Sequence, residues 1–155
     1  MVLSIGDQAP GFTLPTDEGG TLKLSDSIGK NVIVYFYPKD ATSGCTQEAC
    51  SFRDNKPKFD DKNTVIIGIS KDSVASHVKF KKKEQLNFIL ASDTSGEVCE
   101  KYGVWVEKSM YGRKYFGIER STFLINAEGK ITHIWRKVSV PGHVERVWDA
   151  LQELT

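Results

Sequence analysis

The chain has 155 residues, of which 39% are hydrophobic and 10% aromatic, enough apolar material for one folded core. Its 21 Lys and Arg residues against 20 Asp and Glu residues leave a formal net charge of +1, so charge gives no reason to expect a nucleic-acid or membrane partner. We expect one domain over residues 1–155 that acts on small molecules or on other proteins.

The N-terminus and the cysteine count predict the cellular setting. The first segment, MVLSIGDQAPGF, lacks the basic region of a signal peptide and reaches Asp7 and Pro10 before any long apolar run. No segment approaches the roughly 20 apolar residues of a membrane-spanning helix. The 3 cysteines are too few and odd in number for a secreted disulfide framework, and cytosolic disulfides are usually catalytic. We therefore expect a soluble, cytoplasmic protein whose closely spaced cysteines have a chemical role.

The first third of the chain is typical of strands. Two short extended segments, Phe12–Leu14 and Thr21–Leu24, flank a turn-forming Thr-Asp-Glu-Gly-Gly run and predict a small N-terminal hairpin. Asn31–Tyr37 is a continuous run of β-branched and aromatic residues that Pro38 ends, the pattern of a strand buried on both faces. This strand should lie in the centre of the sheet.

A helix is predicted next, because Cys45, Ala49 and Phe52 recur at near-helical spacing, with a kink expected at Pro57. Thr64–Ser70 repeats the pattern of a buried strand, and the lysine-rich segment after it has apolar residues on one side, as an amphipathic helix does. These elements complete a β-α-β-α unit.

The rest of the chain continues the alternation. Asn87–Ala91 predicts a strand, Glu97–Tyr102 a short helix, and Ser121–Asn126 with Ile131–Lys137 a hairpin. Apolar residues from Val144 to Leu154 follow the spacing of an amphipathic C-terminal helix. The whole pattern predicts an α/β protein with a thioredoxin-like fold, in which helices flank a central mixed β-sheet and a β-hairpin extends the N-terminus.

Cys45 occupies a position that favours reactivity. A thiol attacks only as thiolate, and the first turn of a helix stabilises that anion through unpaired backbone N–H groups and the helix dipole. Thr42 either caps this helix or points its hydroxyl into the same cavity, where it could donate to a bound oxygen. Pro38 stiffens the loop that carries both residues. The segment therefore predicts a small preorganised pocket.

Cys50 follows Cys45 by five residues. In an ideal helix that spacing separates the Cα atoms by roughly 8 to 9 Å, whereas a disulfide needs less than about 7 Å. The two cysteines can bond only if the first turns of the helix unwind. Such a step gives a sulfenic acid on Cys45 time to exist, which favours a peroxide as the substrate.

These residues carry a clear resemblance to a known family. PKDATSGC matches the Pro-x-x-x-Thr-x-x-Cys signature of the peroxiredoxins, and TQEAC after it resembles the bacterioferritin comigratory protein, or Q-type, class. GDQAPGFTLP, SDTSGEVCEKYGVW and GIERSTFLIN are also similar to family segments, so the resemblance covers essentially the whole chain. It implies a thiol-dependent peroxidase that reduces hydrogen peroxide and organic hydroperoxides to water or alcohol in antioxidant defence.

The resemblance also implies roles for individual residues. Cys45 would be the peroxidatic cysteine and Cys50 the resolving cysteine, joined during turnover in an intramolecular disulfide. Thr42 would hold the peroxide, and Pro38 would shield the pocket. Ser43 departs from the proline found in many Q-type proteins, so the loop before Cys45 should be somewhat less rigid.

Two charged residues complete the implied site. Arg120 matches the family arginine that stabilises the thiolate and the peroxide oxygen. A guanidinium suits that role because it stays charged and presents fixed donors to the charge that develops along an O–O bond. Glu48 matches the acidic position of the first helical turns and would orient Arg120 or its neighbours.

The implied partners are a hydroperoxide and a dithiol protein that reduces the disulfide, with thioredoxin the usual donor and glutaredoxin an alternative. No metal, haem, flavin or nucleotide is needed, because the chemistry resides in sulfur. The resemblance suggests a monomer. Two other functions stay open: a general disulfide oxidoreductase, against which the missing C-x-x-C motif argues, and a non-catalytic redox sensor or chaperone-like protein.

Several other residues have simpler interpretations. Cys99 is a second candidate for the resolving role, but we interpret it as a partly buried helix thiol that takes no part in redox chemistry. The histidines have no partners at metal-ligand spacing and are interpreted as surface or strand residues; they are His77, His133 and His143. A third set, Trp105, Tyr111 and Phe116, fits either a wall of the active site or the core.

Overall fold

The computed structural model describes residues 2–154. The strands are β1 (Thr13–Pro15), β2 (Thr21–Lys23), β3 (Asn31–Phe36), β4 (Thr64–Ser70), β5 (Ile89–Ser92), β6 (Trp105–Met110), β7 (Arg113–Ile118), β8 (Ser121–Ile125) and β9 (Ile131–Trp135). The helices are α1 (Ser43–Asp61), α2 (Val74–Glu84), α3 (Glu97–Lys101) and α4 (His143–Gln152), with a short 3-10 helix at Leu24–Ser27. Each predicted element is present, and its boundaries shift by a residue or two.

The central sheet has five strands in the order β5-β4-β3-β8-β9. β3, β4 and β5 are parallel, β8 is antiparallel to β3, and β9 is antiparallel to β8. The parallel strands are joined through α1 and α2, since parallel neighbours need a crossover connection. β1 and β2 form a separate antiparallel pair. The central mixed sheet, the central position of β3 and the N-terminal hairpin are therefore confirmed.

Alternate residues of β3 enter two different cores, because successive side chains of a strand point to opposite faces. Val32, Val34 and Phe36 pack with α3 and the N-terminal hairpin on one face. Ile33 and Tyr35 pack with α1, α2 and α4 on the other. All five side chains are at most 2% exposed. Because both faces of the strand are covered, its residues form an uninterrupted apolar run.

α1 continues through Pro57, where the sequence predicts a kink. Proline has no N–H, so the carbonyl of Arg53 loses its partner within the helix. The side-chain amide of Asn87 donates to that carbonyl at 3.2 Å, which satisfies it and lets the helix continue. Among residues 2–154, no helix combines the length and the apolar character that crossing a membrane requires.

The hairpin of β6 and β7 is an element that the sequence patterns did not predict. Its strands pair antiparallel from Trp105 with Ile118 to Met110 with Arg113. Tyr111 is 99% exposed at the turn, and Phe116 is mostly exposed, so neither lies in the core. Trp105 is half-buried, and the Lys71 ammonium lies 4.2 Å from its ring centroid.

The interpretation of the histidines was wrong for two of the three. His77 lies in the first turns of α2 and His143 is the first residue of α4, and both are buried. Both ring nitrogens of His77 and Nε2 of His143 are bonded to groups outside their own helices. His133 is partly exposed on β9, as expected.

Candidate active site

The loop between β3 and α1 holds the candidate nucleophile at the carboxyl end of the central strand. Ala41 in this loop has φ +63°, a left-handed conformation that costs a non-glycine residue about 1 kcal/mol. Thr42 is the residue before α1, but its side chain makes no capping hydrogen bond. Its hydroxyl instead donates to the carbonyl of Lys39 at 2.8 Å, so the predicted cap is absent. Both Thr42 and Pro38 are exposed.

Cys45 is in the first turn of α1 and is only 2% exposed. The first hydrogen bond of the helix runs from the N–H of Thr46 to the carbonyl of Thr42. The amides of residues 43–45 therefore lie ahead of the helical ladder, at the positive end of the helix dipole. This is the environment that the sequence predicts for a nucleophilic thiolate.

Arg120 reaches Cys45 because of the sheet order. β8 runs antiparallel beside β3, and Ser121 at its start pairs with Phe36 at the end of β3. The residue before β8 therefore lies next to the start of α1. Nη2 of Arg120 donates to Sγ of Cys45 at 3.4 Å, and Nη1 donates to Oε1 of Glu48 at 2.7 Å.

Glu48 is completely buried one turn after Cys45. Burial raises its pKa to about 7, and the adjacent Arg120 guanidinium limits that rise. Oε1 receives the bond from Arg120, whereas Oε2 has no hydrogen-bond partner among the described residues. At neutral pH the carboxyl group is therefore poised between its protonated and its ionised form.

Lys108 is a charged neighbour that the sequence reasoning missed. It lies on β6, half-buried, and its ammonium donates to the carbonyl of Ile118. Burial lowers its pKa, and the nearby Arg120 lowers it further. The Tyr-Gly dipeptide at residues 111–112 is a turn signal that could have revealed this hairpin and hence the position of Lys108.

The structure does not place the Cys50 thiol in contact with Cys45. Both thiols are free, and α1 is unbroken across them. The Cys50 thiol points toward α2, with Sγ 3.8 Å from Oε1 of Glu84. Partial burial raises its pKa, and Glu84 adds to that rise although Arg53 opposes it.

Cys99 lies in a different environment from both. It is fully buried on α3, in the core on the opposite face of the sheet from Cys45. Burial strongly raises the pKa of its thiol, and Asp93 adds to the effect. Its backbone N–H donates to Asp93 at 2.8 Å, so the helix containing it is fixed in place. These features oppose thiolate formation.

Taken together, Cys45, Glu48 and Arg120 form one contiguous group, with Thr42 and Pro38 in the adjoining loop and Cys50 one turn away from it. A buried sulfur beside a guanidinium and a helix N-terminus is arranged to attack an electrophile and to stabilise negative charge on it. Each of these groups is supplied by the chain itself.

The chain matches the AhpC/TSA family over residues 5–134. Peroxiredoxin Bcp of Bacillus subtilis is 47% identical over 155 residues, covering 100% of this chain and 99% of the relative. Peroxiredoxin Bcp of Escherichia coli strain K12 is 44% identical over 151 residues, covering 97% of each chain. A Coxiella burnetii relative that bears the same name is 56% identical over 147 residues, covering 95% of this chain and 97% of its own length.

Solved structures of similar proteins support the same family. The Xanthomonas campestris bacterioferritin comigratory protein, studied for alkyl peroxide reduction, superposes with a TM-score of 0.90 at 40% identity, covering 98% of this chain and 97% of its own. A cysteine-to-serine variant of Xylella fastidiosa PrxQ gives a TM-score of 0.93 at 38% identity, covering 99% and 98%. The chain therefore belongs to the AhpC/TSA family and, within it, to the peroxiredoxins of the bacterioferritin comigratory protein class.

Proposed function

We propose that this thiol-dependent peroxidase uses Cys45 as its peroxidatic cysteine. The observation that carries this assignment is the buried Cys45 sulfur with the Arg120 guanidinium 3.4 Å away at the start of α1. The thiolate attacks the nearer oxygen of ROOH and the O–O bond breaks. The sulfur becomes a sulfenic acid, and the departing RO⁻ takes up a proton to leave as water or an alcohol. Arg120 stabilises the charge on both oxygens.

The loop residues have supporting roles in this proposal. The Thr42 hydroxyl, one turn before the sulfur, turns from the Lys39 carbonyl to hydrogen-bond the bound peroxide. Pro38 holds the loop backbone and shields one side of the pocket. Glu48 accepts the second arm of Arg120 and so orients the guanidinium, as the bond of 2.7 Å between them supports.

Cys50 is proposed as the resolving cysteine. Its thiol attacks the sulfenic sulfur of Cys45, forming a disulfide and releasing water. Because α1 is continuous across both residues, its first turns must unwind before the sulfurs can meet. The fully folded form would then attack peroxide, and a locally unfolded form would make the disulfide.

The reductant is proposed to be thioredoxin, with glutaredoxin an alternative, since two thiols are needed to return the disulfide to its reduced form. Alkyl hydroperoxides are proposed as substrates beside hydrogen peroxide, by analogy with the Xanthomonas campestris protein. A monomer suffices, because both cysteines lie on one helix. A cytoplasmic setting is proposed, since disulfides in the cytosol are usually transient and catalytic, as the proposed cycle requires.

A coupled assay with peroxide, thioredoxin, thioredoxin reductase and NADPH tests these assignments. We expect Cys45→Ser to abolish turnover, since it removes the attacking sulfur. Cys50→Ser should form the sulfenic acid once and then stall with thioredoxin as donor. Cys99→Ser should turn over within about twofold of the wild type, because its thiol is buried in the other core.

Two outcomes would contradict the scheme. Full turnover by Cys45→Ser would rule out the proposed nucleophile. Loss of turnover in Cys99→Ser with Cys50→Ser intact would move resolution to Cys99. A parallel insulin-reduction assay separates peroxide reduction from general disulfide exchange, for which we expect no activity above background.

A further inference from the structure

Asp40 ties the active-site loop to the neighbouring elements. Its buried carboxylate accepts from the Tyr37 hydroxyl at 2.6 Å through Oδ1 and from the Ser76 hydroxyl at 2.8 Å through Oδ2. Nδ1 of His77 lies 2.7 Å from the same Oδ2. The backbone N–H of Asp40 donates to Asp72 at 2.8 Å. The side chain of this loop residue is thus bonded to α2 and to the residue directly after β3, and its main chain is bonded to the loop before α2.

The hydrogen-bond partners of His77 assign its protons. Nε2 lies 3.0 Å from the carbonyl of Ala91, which can only accept, so Nε2 carries a proton. Nδ1 faces the carboxylate of Asp40. Burial alone would raise the pKa of Asp40, but hydrogen bonds from His77 and Tyr37 outweigh it and hold that pKa below its ordinary value. Asp40 is therefore ionised, Nδ1 donates to it, and the two form a buried ion pair.

The chain changes from buried to exposed directly after this ion pair. Asp40 is 6% exposed, whereas Ala41, Thr42 and Ser43 are all exposed. Ala41 is in the left-handed region, a conformation that persists only where the surroundings impose it. The anchored Asp40 on one side and the first turn of α1 on the other supply that constraint. Asp40 is thus the last firmly held residue before the segment that must unwind.

We propose that His77 is a positioning residue for Cys45: its ion pair with Asp40 is the fixed end of the active-site loop, from which the first turn of α1 unwinds and to which it returns. The inference rests on the roles proposed above for Cys45 and Cys50. His77 touches no reacting atom and acts through Asp40. Without it, the loop would spend less time in the conformation that attacks peroxide.

A metal ion is not needed to explain this cluster. Asp40, Asp72 and His77 place one potential ligand atom each within 4.8 Å of one another, a spacing that a cation site also has. Those atoms already satisfy one another and their neighbours: Oδ2 of Asp72 also accepts from the Ser70 hydroxyl at 2.6 Å. Asp40 faces His77, and Asp72 is bonded to a backbone N–H and a hydroxyl.

Two rates test the proposal. The first is sulfenic acid formation at Cys45 in a Cys50→Ser background, measured by quenched flow with dimedone trapping and mass spectrometry. We expect His77→Leu to slow this step at least about tenfold, because misplacing a reacting group by a fraction of an ångström to one ångström has effects of that order. The second is reduction of the preformed disulfide by dithiothreitol in the background with all three cysteines. It should change less than about twofold, since the first turn is already unwound in that form.

Two further variants keep the test decisive. Ser76→Ala removes one hydrogen bond to the Asp40 carboxylate without emptying the core, and should slow oxidation about two- to threefold with the same selectivity. His133→Leu makes the matched substitution at a partly exposed histidine on β9 and should change neither rate.

Unchanged oxidation in His77→Leu would overturn the proposal, and so would an equal loss in both rates, which would indicate a general loss of structure. If His77→Leu does not fold, the same two rates are measured for Ser76→Ala. An unchanged rate of Cys45 oxidation in that variant would overturn the proposal. Failure of the proposed function would look different: no sulfenic acid would form at Cys45 even with His77 intact.

Discussion

At the scale of single residues, the site depends on how Arg120 divides its donors. One nitrogen faces the Cys45 sulfur and the other faces Glu48. An ionised Glu48 fixes the guanidinium but offsets its charge, whereas a protonated Glu48 leaves more of that charge for the sulfur. Because burial brings the pKa of Glu48 to about 7, the balance between these two states lies within the physiological range.

We expect Glu48→Gln to change how stability depends on pH. Burial raises the pKa of Glu48 from 4.5 to about 7, so folding favours the protonated carboxyl. That contribution is fully present below pH 4.5 and is lost as the pH rises through 7. Between pH 5 and pH 8 the wild type should therefore lose about 2 to 3 kcal/mol relative to Glu48→Gln, measured by urea unfolding. Glu128→Gln, an exposed control, should follow the wild-type profile. Parallel profiles for wild type and Glu48→Gln would contradict the assignment.

At the scale of elements, the first turn of α1 has two opposing requirements. In the proposed cycle it must be ordered to hold the sulfur against Arg120, and it must open for Cys45 and Cys50 to bond. Gly44, within this turn, serves both requirements. A Cβ there would lie 3.2 Å from Nη2 of Arg120, so glycine leaves room for the guanidinium, and its low helix propensity eases unwinding.

Gly44→Ala should therefore slow two steps. Oxidation of Cys45 slows because the guanidinium must shift by a few tenths of an ångström. Disulfide formation slows about three- to fivefold, because alanine stabilises a helix by up to about 1 kcal/mol relative to glycine. Both are read from stopped-flow tryptophan fluorescence with hydrogen peroxide. Ser43→Ala, a neighbouring exposed position, should slow only disulfide formation. Faster disulfide formation in Gly44→Ala would refute the unwinding step.

At the scale of the whole molecule, one core contains two buried groups that titrate in opposite senses. Glu48 on α1 destabilises the fold as the pH rises, whereas His143 on α4 does so as the pH falls. Burial lowers the pKa of His143 to about 4, and the nearby Arg146 and Arg120 add to the effect. Its Nε2 lies 2.8 Å from the Thr122 hydroxyl, a contact that a neutral ring can make as donor or as acceptor. The two effects overlap between about pH 4.5 and 6.5 and partly cancel.

Removing His143 should expose the Glu48 effect. The folded-state pKa of His143 lies below its ordinary value of 6.5, so its contribution is present above pH 6.5 and is lost as the pH falls toward 4. Between pH 7 and pH 4 we expect wild type to lose about 2 to 3 kcal/mol relative to His143→Phe, from urea unfolding at each pH. His133→Phe serves as the matched control and should track wild type. An unaltered pH profile in His143→Phe would show that the ring is not held neutral.

Much of the fold was predictable because its signals are local. The run Asn31–Phe36 is apolar at every position but the first, as a central strand with two covered faces requires. The β6–β7 hairpin escaped prediction because its residues are largely exposed, so no buried face imposes an alternating pattern. The kink expected at Pro57 stays a prediction, and the sequence could not show that Asn87, which is remote from it in sequence, supplies a donor in place of the missing N–H.

The motif around Cys45 and its resemblance to the peroxiredoxins were enough to predict a thiol-dependent peroxidase, because the motif is local in sequence. The roles of Cys45 and Cys50 in that reaction stay predictions. Sequence could not reveal that His77 and Asp40 form an ion pair, or that Glu48 is buried with its pKa near neutrality. Those properties depend on desolvation and on partners dozens of residues away. They arise only when the sheet brings the start of β8 and the first turns of α2 beside the start of α1.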